Sequence, residues 1–216
     1  MTTFDSQRAG TGTHEWAEVT ENIARGCPHN CLYCYAAQNA KRFKLRDRAD
    51  WAREELTKRA DITSYPARDG VIMFPSAHDI TPFNLEACIR VARLMLEAGN
   101  KLLIVSKPRI DCISRVVREL ADYKNAILFR FTIGTTDAAT AAHWEPGAPT
   151  PAERIDALQE GAYDSSQCSS PRSRTLKDFN NEPSCHWCIG FEHQFFVSNA
   201  VLFQQGKKRL TAILEY

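Results

Sequence analysis

Apolar positions recur along this chain in two alternating rhythms. Residues 16–23 alternate apolar and polar positions and predict a strand. Residues 33–58 predict a largely helical stretch that carries the basic run Lys41-Arg42-Phe43-Lys44-Leu45-Arg46. Val71-Ile72-Met73-Phe74 is a short apolar strand ended by Pro75. Thr81-Pro82 then reads as a helix start, with threonine as N-cap and proline in the first turn. Leu85, Cys88, Ile89, Ala92, Met95 and Leu96 repeat at helical spacing, and Gly99 fits the position just past the helix end. The uninterrupted run Leu102-Leu103-Ile104-Val105 suits a strand buried on both faces. Ile110, Ile113, Val116, Val117 and Leu120 share one side of the next helix. In residues 126–133, Ile127, Phe129, Phe131 and Ile133 share one strand face, and Leu128, Arg130 and Thr132 the other. Thr150-Pro151-Ala152-Glu153 is a capping box opening another helix.

The order is β-α-β-α-β-α-β-α. It predicts an α/β fold of parallel strands joined by right-handed helical crossovers, with chemistry gathered where strands end and helices begin. Residues 76–79, Ser106-Lys107 and residues 132–135 all fall at such ends, as does the loop after the first strand. Near residue 160 the character changes. Residues 164–174 are rich in Ser, Arg and Pro without an apolar period and read as loop. Residues 191–203 regain apolar character, as one strand or a short helix. The division is a barrel-like domain over residues 1–160 and a divergent tail over 161–216, truncated or disordered.

Composition narrows the function. A net charge of +1 gives no global attraction to nucleic acid or an anionic membrane, so a polyanion would need a local patch. No apolar run approaches the ~18 residues of a membrane span, and no signal peptide opens the chain. A cytoplasmic protein is expected. Eight cysteines in a reducing compartment then argue for metal or redox chemistry rather than disulfides. Cys88 and Cys112 lie within apolar helical patterns and read as small buried hydrophobes.

The densest chemistry is Gly26-Cys27-Pro28-His29-Asn30-Cys31-Leu32-Tyr33-Cys34-Tyr35, with spacing C-x3-C-x2-C. Thiolates are soft ligands suited to iron–sulfur clusters and to zinc. Three of them can hold three corners of an iron–sulfur cube and leave the fourth iron open. Structural zinc wants four ligands, and Cys185-His186-Trp187-Cys188 offers a second pair that would join Cys31 and Cys34. The gap between the pairs is far longer than in usual zinc ribbons. Cys168, Cys185 and Cys188 are also candidates for a separate auxiliary cluster.

The cysteine loop after a strand, with an aromatic before its third cysteine, resembles the radical S-adenosylmethionine (radical SAM) superfamily. Phe74-Pro75-Ser76-Ala77-His78-Asp79-Ile80, Val105-Ser106-Lys107-Pro108-Arg109, Phe129-Arg130-Phe131-Thr132-Ile133-Gly134 and Trp144-Glu145-Pro146-Gly147-Ala148-Pro149 resemble the branch related to spore photoproduct lyase, over about residues 16–160. The resemblance implies a partial (βα) TIM-like radical SAM barrel with an irregular C-terminal tail. It implies a [4Fe–4S] cluster on Cys27, Cys31 and Cys34, with S-adenosylmethionine on the open iron. Reductive cleavage would give methionine and a 5′-deoxyadenosyl radical that abstracts hydrogen from a substrate the sequence does not name. Tyr33 and Tyr35 would lie beside the cluster as catalytic candidates; Ser76, His78, Lys107, Arg130 and Thr132 are the cofactor-binding candidates. An electron donor such as a flavodoxin or ferredoxin is implied.

Two departures narrow the transfer. Spore photoproduct lyase has a cysteine in the segment matching residues 74–80, and this chain has none there, which argues against thymine-dimer repair by the same route. The resemblance also stops near residue 160, short of the last two strands of a six-unit barrel. The rival readings are a DNA photolesion lyase, a zinc-binding module, and an inactive remnant that keeps the cysteines without the complete barrel.

Overall fold

The computed structural model describes residues 12–163 of the chain. The tail, with Cys168, Cys185, Cys188 and the apolar segment 191–203, lies outside the described residues, as does the expectation of a zinc site that includes it.

Four parallel strands form the main sheet in the order β1 (Val19–Thr20), β4 (Val71–Met73), β5 (Lys101–Ser106), β6 (Ile127–Phe131). A short antiparallel pair, β2 (Ala24–Arg25) with β3 (Glu55–Leu56), lies between β1 and β4 in sequence. The α/β class and parallel pairing agree with the hydrophobic pattern. The described sheet has edges at β1 and β6 and does not close on itself.

Helices α2 (Leu85–Glu97), α3 (Ile110–Glu119) and α5 (Pro151–Tyr163) pack on one face of this sheet. Ile72, Leu102, Ile104, Ile127, Phe129 and Phe131 point into that core, with Cys88 and Cys112 among them as the apolar pattern predicts. Each such side chain contributes about 1.5–3 kcal/mol by leaving water. The opposite face carries Val71, Met73 and Leu103, covered by Ala17 with Trp16 and Leu128 alongside. Leu102, Leu103 and Ile104 are thus buried on both sides of the sheet. The crossover helices α2 and α3, and α5 after β6, thus all lie on one face of the sheet.

The structure corrects three predicted elements. The first strand shrinks from residues 16–23 to two residues, because Trp16 and Ala17 turn under the sheet to cover its second face. The long helix over 33–58 is only α1 (Tyr35–Arg42). Lys41 through Leu45 are all exposed, so no apolar stripe holds further turns on a core. Lys44 takes a left-handed φ of 55°, and Arg46 turns inward onto the carbonyls of Arg25 and Arg53 and the carboxylate of Glu55. The basic run is therefore a helix end plus one buried structural arginine. Finally, α2 begins at Leu85 rather than Thr81, since the Thr81 hydroxyl donates to Glu54 at 2.6 Å instead of capping. Helix α4 (Ala138–Trp144), capped by Asp137, was not predicted.

Two helix ends follow their sequence signals closely. Gly99 adopts φ 82° and Asn100 N–H bonds back to the Met95 carbonyl, which closes α2 with a left-handed cap. The Thr150 amide and hydroxyl donate to Glu153 while the Glu153 amide donates to the Thr150 hydroxyl, the reciprocal capping box of α5.

Candidate functional site

The carboxyl ends of the four parallel strands meet at one rim, and side chains from distant segments are bonded across it. Asn22, just past β1, accepts from the Ser76 and Ala77 amides and donates to the Ser76 hydroxyl at 2.8 Å. Asp79 reaches to the end of β5, accepting from the Ser106 hydroxyl and from the Lys107 amide at 2.7 Å. The Thr132 amide donates to the Ser106 carbonyl at 2.9 Å, which links β6 to β5. Asp79 is buried, which opposes its charge; the facing His29 and the Ser106 and Lys107 donors nevertheless hold its carboxyl below the usual range.

The cysteine loop sits on this rim with its backbone fixed at many points. Gly26 enters at φ 88°, so close to Arg53 that a Cβ would lie 2.0 Å from that carbonyl oxygen. The Cys27 amide donates to the Trp51 carbonyl at 2.9 Å. Arg48 donates to the carbonyls of Asn30 and Cys31, each at 3.0 Å, and to the Asn30 side chain, which suits the left-handed φ of 48° at Asn30. His29 is buried with Nδ1 3.2 Å from Asp79 Oδ2, out of line for a full hydrogen bond. Cys34 is the N-cap of α1, its sulfur accepting from the Ala37 amide at 3.4 Å.

All three thiols are free. Burial pushes the Cys27 thiol up, with the Asp79 charge adding to it. Burial pushes Cys31 up to about 11, partly offset by Lys107 and reinforced by Glu145. Cys27 and Cys31 thus resist ionisation on their own, and a bound cation would supply the compensating charge.

Among the described residues no group of three His, Cys, Asp or Glu side chains is drawn tightly enough for a single metal ion. One zinc ion would need its sulfurs about 3.8 Å apart, given Zn–S bonds of ~2.3 Å. A cluster asks for a wider set, one thiolate per iron. Cys27, Cys31 and Cys34 offer three soft ligands of the kind such a cluster takes, on a loop whose backbone is pinned by Trp51 and Arg48.

The other candidate residues divide. Tyr33 donates its hydroxyl to Glu145 Oε1, and Lys107 Nζ lies 3.8 Å from the same oxygen and 5.6 Å from the Tyr33 ring centre. Tyr35 donates to the Ser76 carbonyl, and burial together with Cys34 pushes its hydroxyl up. Ser76, Lys107 and Thr132 are therefore on the rim with the cysteines. His78 is buried and structural in its contacts: Nε2 accepts from the Ile23 amide at 3.2 Å, which leaves Nδ1 to donate to the Asp79 carbonyl at 2.9 Å. Burial holds it below the ordinary histidine value. Arg130 stands apart, its guanidinium stacked 3.9 Å from the Trp16 ring, which precedes β1.

Sequence reasoning passed over Asn22, His29, Arg48, Glu145 and Arg154 as site residues. Arg48 carries no local signal, because its partners Asn30 and Cys31 lie well before it in sequence, and Arg154 reads as one more charged residue of a capped helix. Glu145 lies within one of the family-like motifs, which was the available pointer.

Comparisons with known proteins give distant likenesses only. The chain is 26% identical over 153 residues to an uncharacterized protein, ORF301, of Acidianus two-tailed virus, covering 64% of this chain and 50% of that protein. It is 28% identical over 138 residues to the anaerobic magnesium-protoporphyrin IX monomethyl ester cyclase of Synechocystis, covering 63% of this chain and 26% of the cyclase. The chain thus spans half or less of the length of these relatives. Neither relative is named a spore photoproduct lyase. No family profile matches the chain, and no solved structure does. Among the described residues no helix is long and apolar enough to cross a membrane.

Proposed function

We propose that this chain is the cluster-bearing part of a radical SAM enzyme. The observation that carries the reading is the placement of Cys27, Cys31 and Cys34 on one pinned loop at the carboxyl rim of a parallel sheet, beside Ser76, Lys107 and Thr132. When bound, a [4Fe–4S] cluster supplies the electron that splits S-adenosylmethionine into methionine and a 5′-deoxyadenosyl radical. In this reading the chain's own residues bind and orient. The three thiols would hold the cluster, and the Lys107 ammonium would meet the cofactor's carboxylate or ribose as a point charge. The Thr132 hydroxyl and Ser76 complete the polar wall. Tyr33, bonded to Glu145, and Tyr35, bonded to Ser76, flank the loop at the start of α1.

One-sided helix packing supports a barrel segment rather than a doubly wound sheet. The finer reading, the spore photoproduct lyase-like branch, rests on the resemblance of the four motifs alone. A low-potential donor such as a flavodoxin or ferredoxin would supply the electron.

The test is anaerobic. The reconstituted protein, dithionite and S-adenosylmethionine should yield 5′-deoxyadenosine and methionine in equal amounts. A protein that carries the cluster and yields neither product is not a radical SAM enzyme.

A further inference from the structure

The segment from Trp144 to Gly147 grips the cysteine loop at four points. The Leu32 amide donates to the Trp144 carbonyl at 2.9 Å, and the Gly147 amide donates to the His29 carbonyl at 3.0 Å. Glu145 Oε1 accepts from the Tyr33 hydroxyl. Gly147 approaches the loop so closely that a Cβ would lie 2.0 Å from the Pro28 carbonyl oxygen. Every one of these contacts falls on a residue between the three cysteines.

Behind the grip stands a buried ion pair. Arg154 of α5 is 1% exposed and Glu145 is 5% exposed, and their nearest charged atoms are 2.5 Å apart. Arg154 is held further by the Pro149 carbonyl at 2.7 Å and the Thr132 carbonyl at 3.2 Å. A buried ion pair is a poor source of net stability, because desolvation offsets its attraction; its value lies in fixing one geometry. Here the geometry it fixes is that of Glu145, whose other oxygen faces Tyr33 and Lys107.

We infer that Glu145 is a positioning residue: anchored by Arg154, it holds Tyr33 and Lys107 in place, so that α5 sets the geometry of the cysteine loop. This deepens the radical-enzyme reading, and rests on it only for the spectroscopic arm of the test below.

The first arm uses the full chain without metal. Thiols are alkylated under native conditions and mapped by mass spectrometry. Glu145→Ala and Gly147→Ala should each label Cys31 about tenfold faster than wild type, through a more populated local opening. Cys88 and Cys112, deep in the helix-covered core, should stay protected and so report on global folding. Unchanged Cys31 labelling in both variants, with the core thiols protected, overturns the inference. Should Glu145→Ala expose Cys88 as well, Tyr33→Phe, which removes a single hydroxyl, decides by the same criterion.

The second arm reads what a merely structural role would not move. After anaerobic reconstitution, Glu145→Gln should keep the iron and sulfide content of wild type while shifting the g values of the reduced cluster. Identical g values overturn the positioning role. A wild-type protein that takes up no iron and sulfide sinks the radical-enzyme reading instead, and the alkylation arm still judges Glu145.

Discussion

Ile104 and Asp79 are both buried, yet they are held by unlike neighbours. Ile104 sits in an apolar cluster fed by α2, α3 and α5, where contacts are many, weak and interchangeable. Asp79 faces His29 of the cysteine loop at 3.2 Å and accepts directed hydrogen bonds from Ser106 and Lys107 at the end of β5 and from the adjacent Ile80 amide. The helix-covered face therefore supplies stability, and the rim supplies a shape. A domain built this way can lose rim contacts and stay folded, but cannot lose its core and keep the rim.

That contrast can be broken in order of expected effect. Ile104→Ala should cost about 2–5 kcal/mol in urea unfolding, since it removes buried methyl groups and leaves a cavity. If it also speeds Cys31 alkylation under native conditions, with Cys88 still protected, the two regions are not separable. Asp79→Ala should cost about 1–3 kcal/mol, because the Lys107 and Ile80 amides and the Ser106 hydroxyl lose their acceptor. A loss below about 0.5 kcal/mol would show that these donors find water, and that Asp79 is no hub.

His78 gives a pH test of the same boundary. Its folded form is held neutral by burial, so its value lies below the ordinary 6.5. The unfolded chain therefore binds more protons in that window, and stability falls as pH drops from 6.5 toward the folded value. The slope is at most about 1.4 kcal/mol per pH unit. His78→Gln should flatten the decline of the urea midpoint between pH 7 and pH 5.5; an equal decline in both proteins would mean that His78 is not buried neutral. An effect of similar size belongs to the α5 cap. Thr150→Ala should cost about 0.5–2 kcal/mol near neutral pH. Glu153 is held low by its bonds from Thr150, so its share of this stability is present above the usual carboxylate range and is lost as acid titrates it. A cost that stays constant down to pH 2.5 would contradict the capping box.

The same division explains which features were legible in the sequence. The core obeys periodic rules, so Leu102, Ile104, the α2 stripe and the buried roles of Cys88 and Cys112 could be read from spacing. The α5 capping box was legible because its partners are three residues apart. The three cysteines fall within one loop and could be seen as a group for the same reason. The clasp was not, since Tyr33 and Glu145 are 112 residues apart and meet only once β6 and α4 are in place. The helix expected over 33–58 failed where charged residues outnumbered apolar ones and Arg46 was claimed by carbonyls across the loop. Arg130 alternates correctly with Phe129 and Phe131, but alternation gives a face and not a partner, and its partner is Trp16.

The central claim is that three thiols of one loop carry an iron–sulfur cluster, and its most direct test is a count of what they bind. Protein purified and reconstituted without oxygen should hold about four irons and four acid-labile sulfides per chain. Cys31→Ala should lose both together, while Cys185→Ala and Cys188→Ala should retain them. Zinc in place of iron, with loss on mutation of Cys185 or Cys188, would contradict the account.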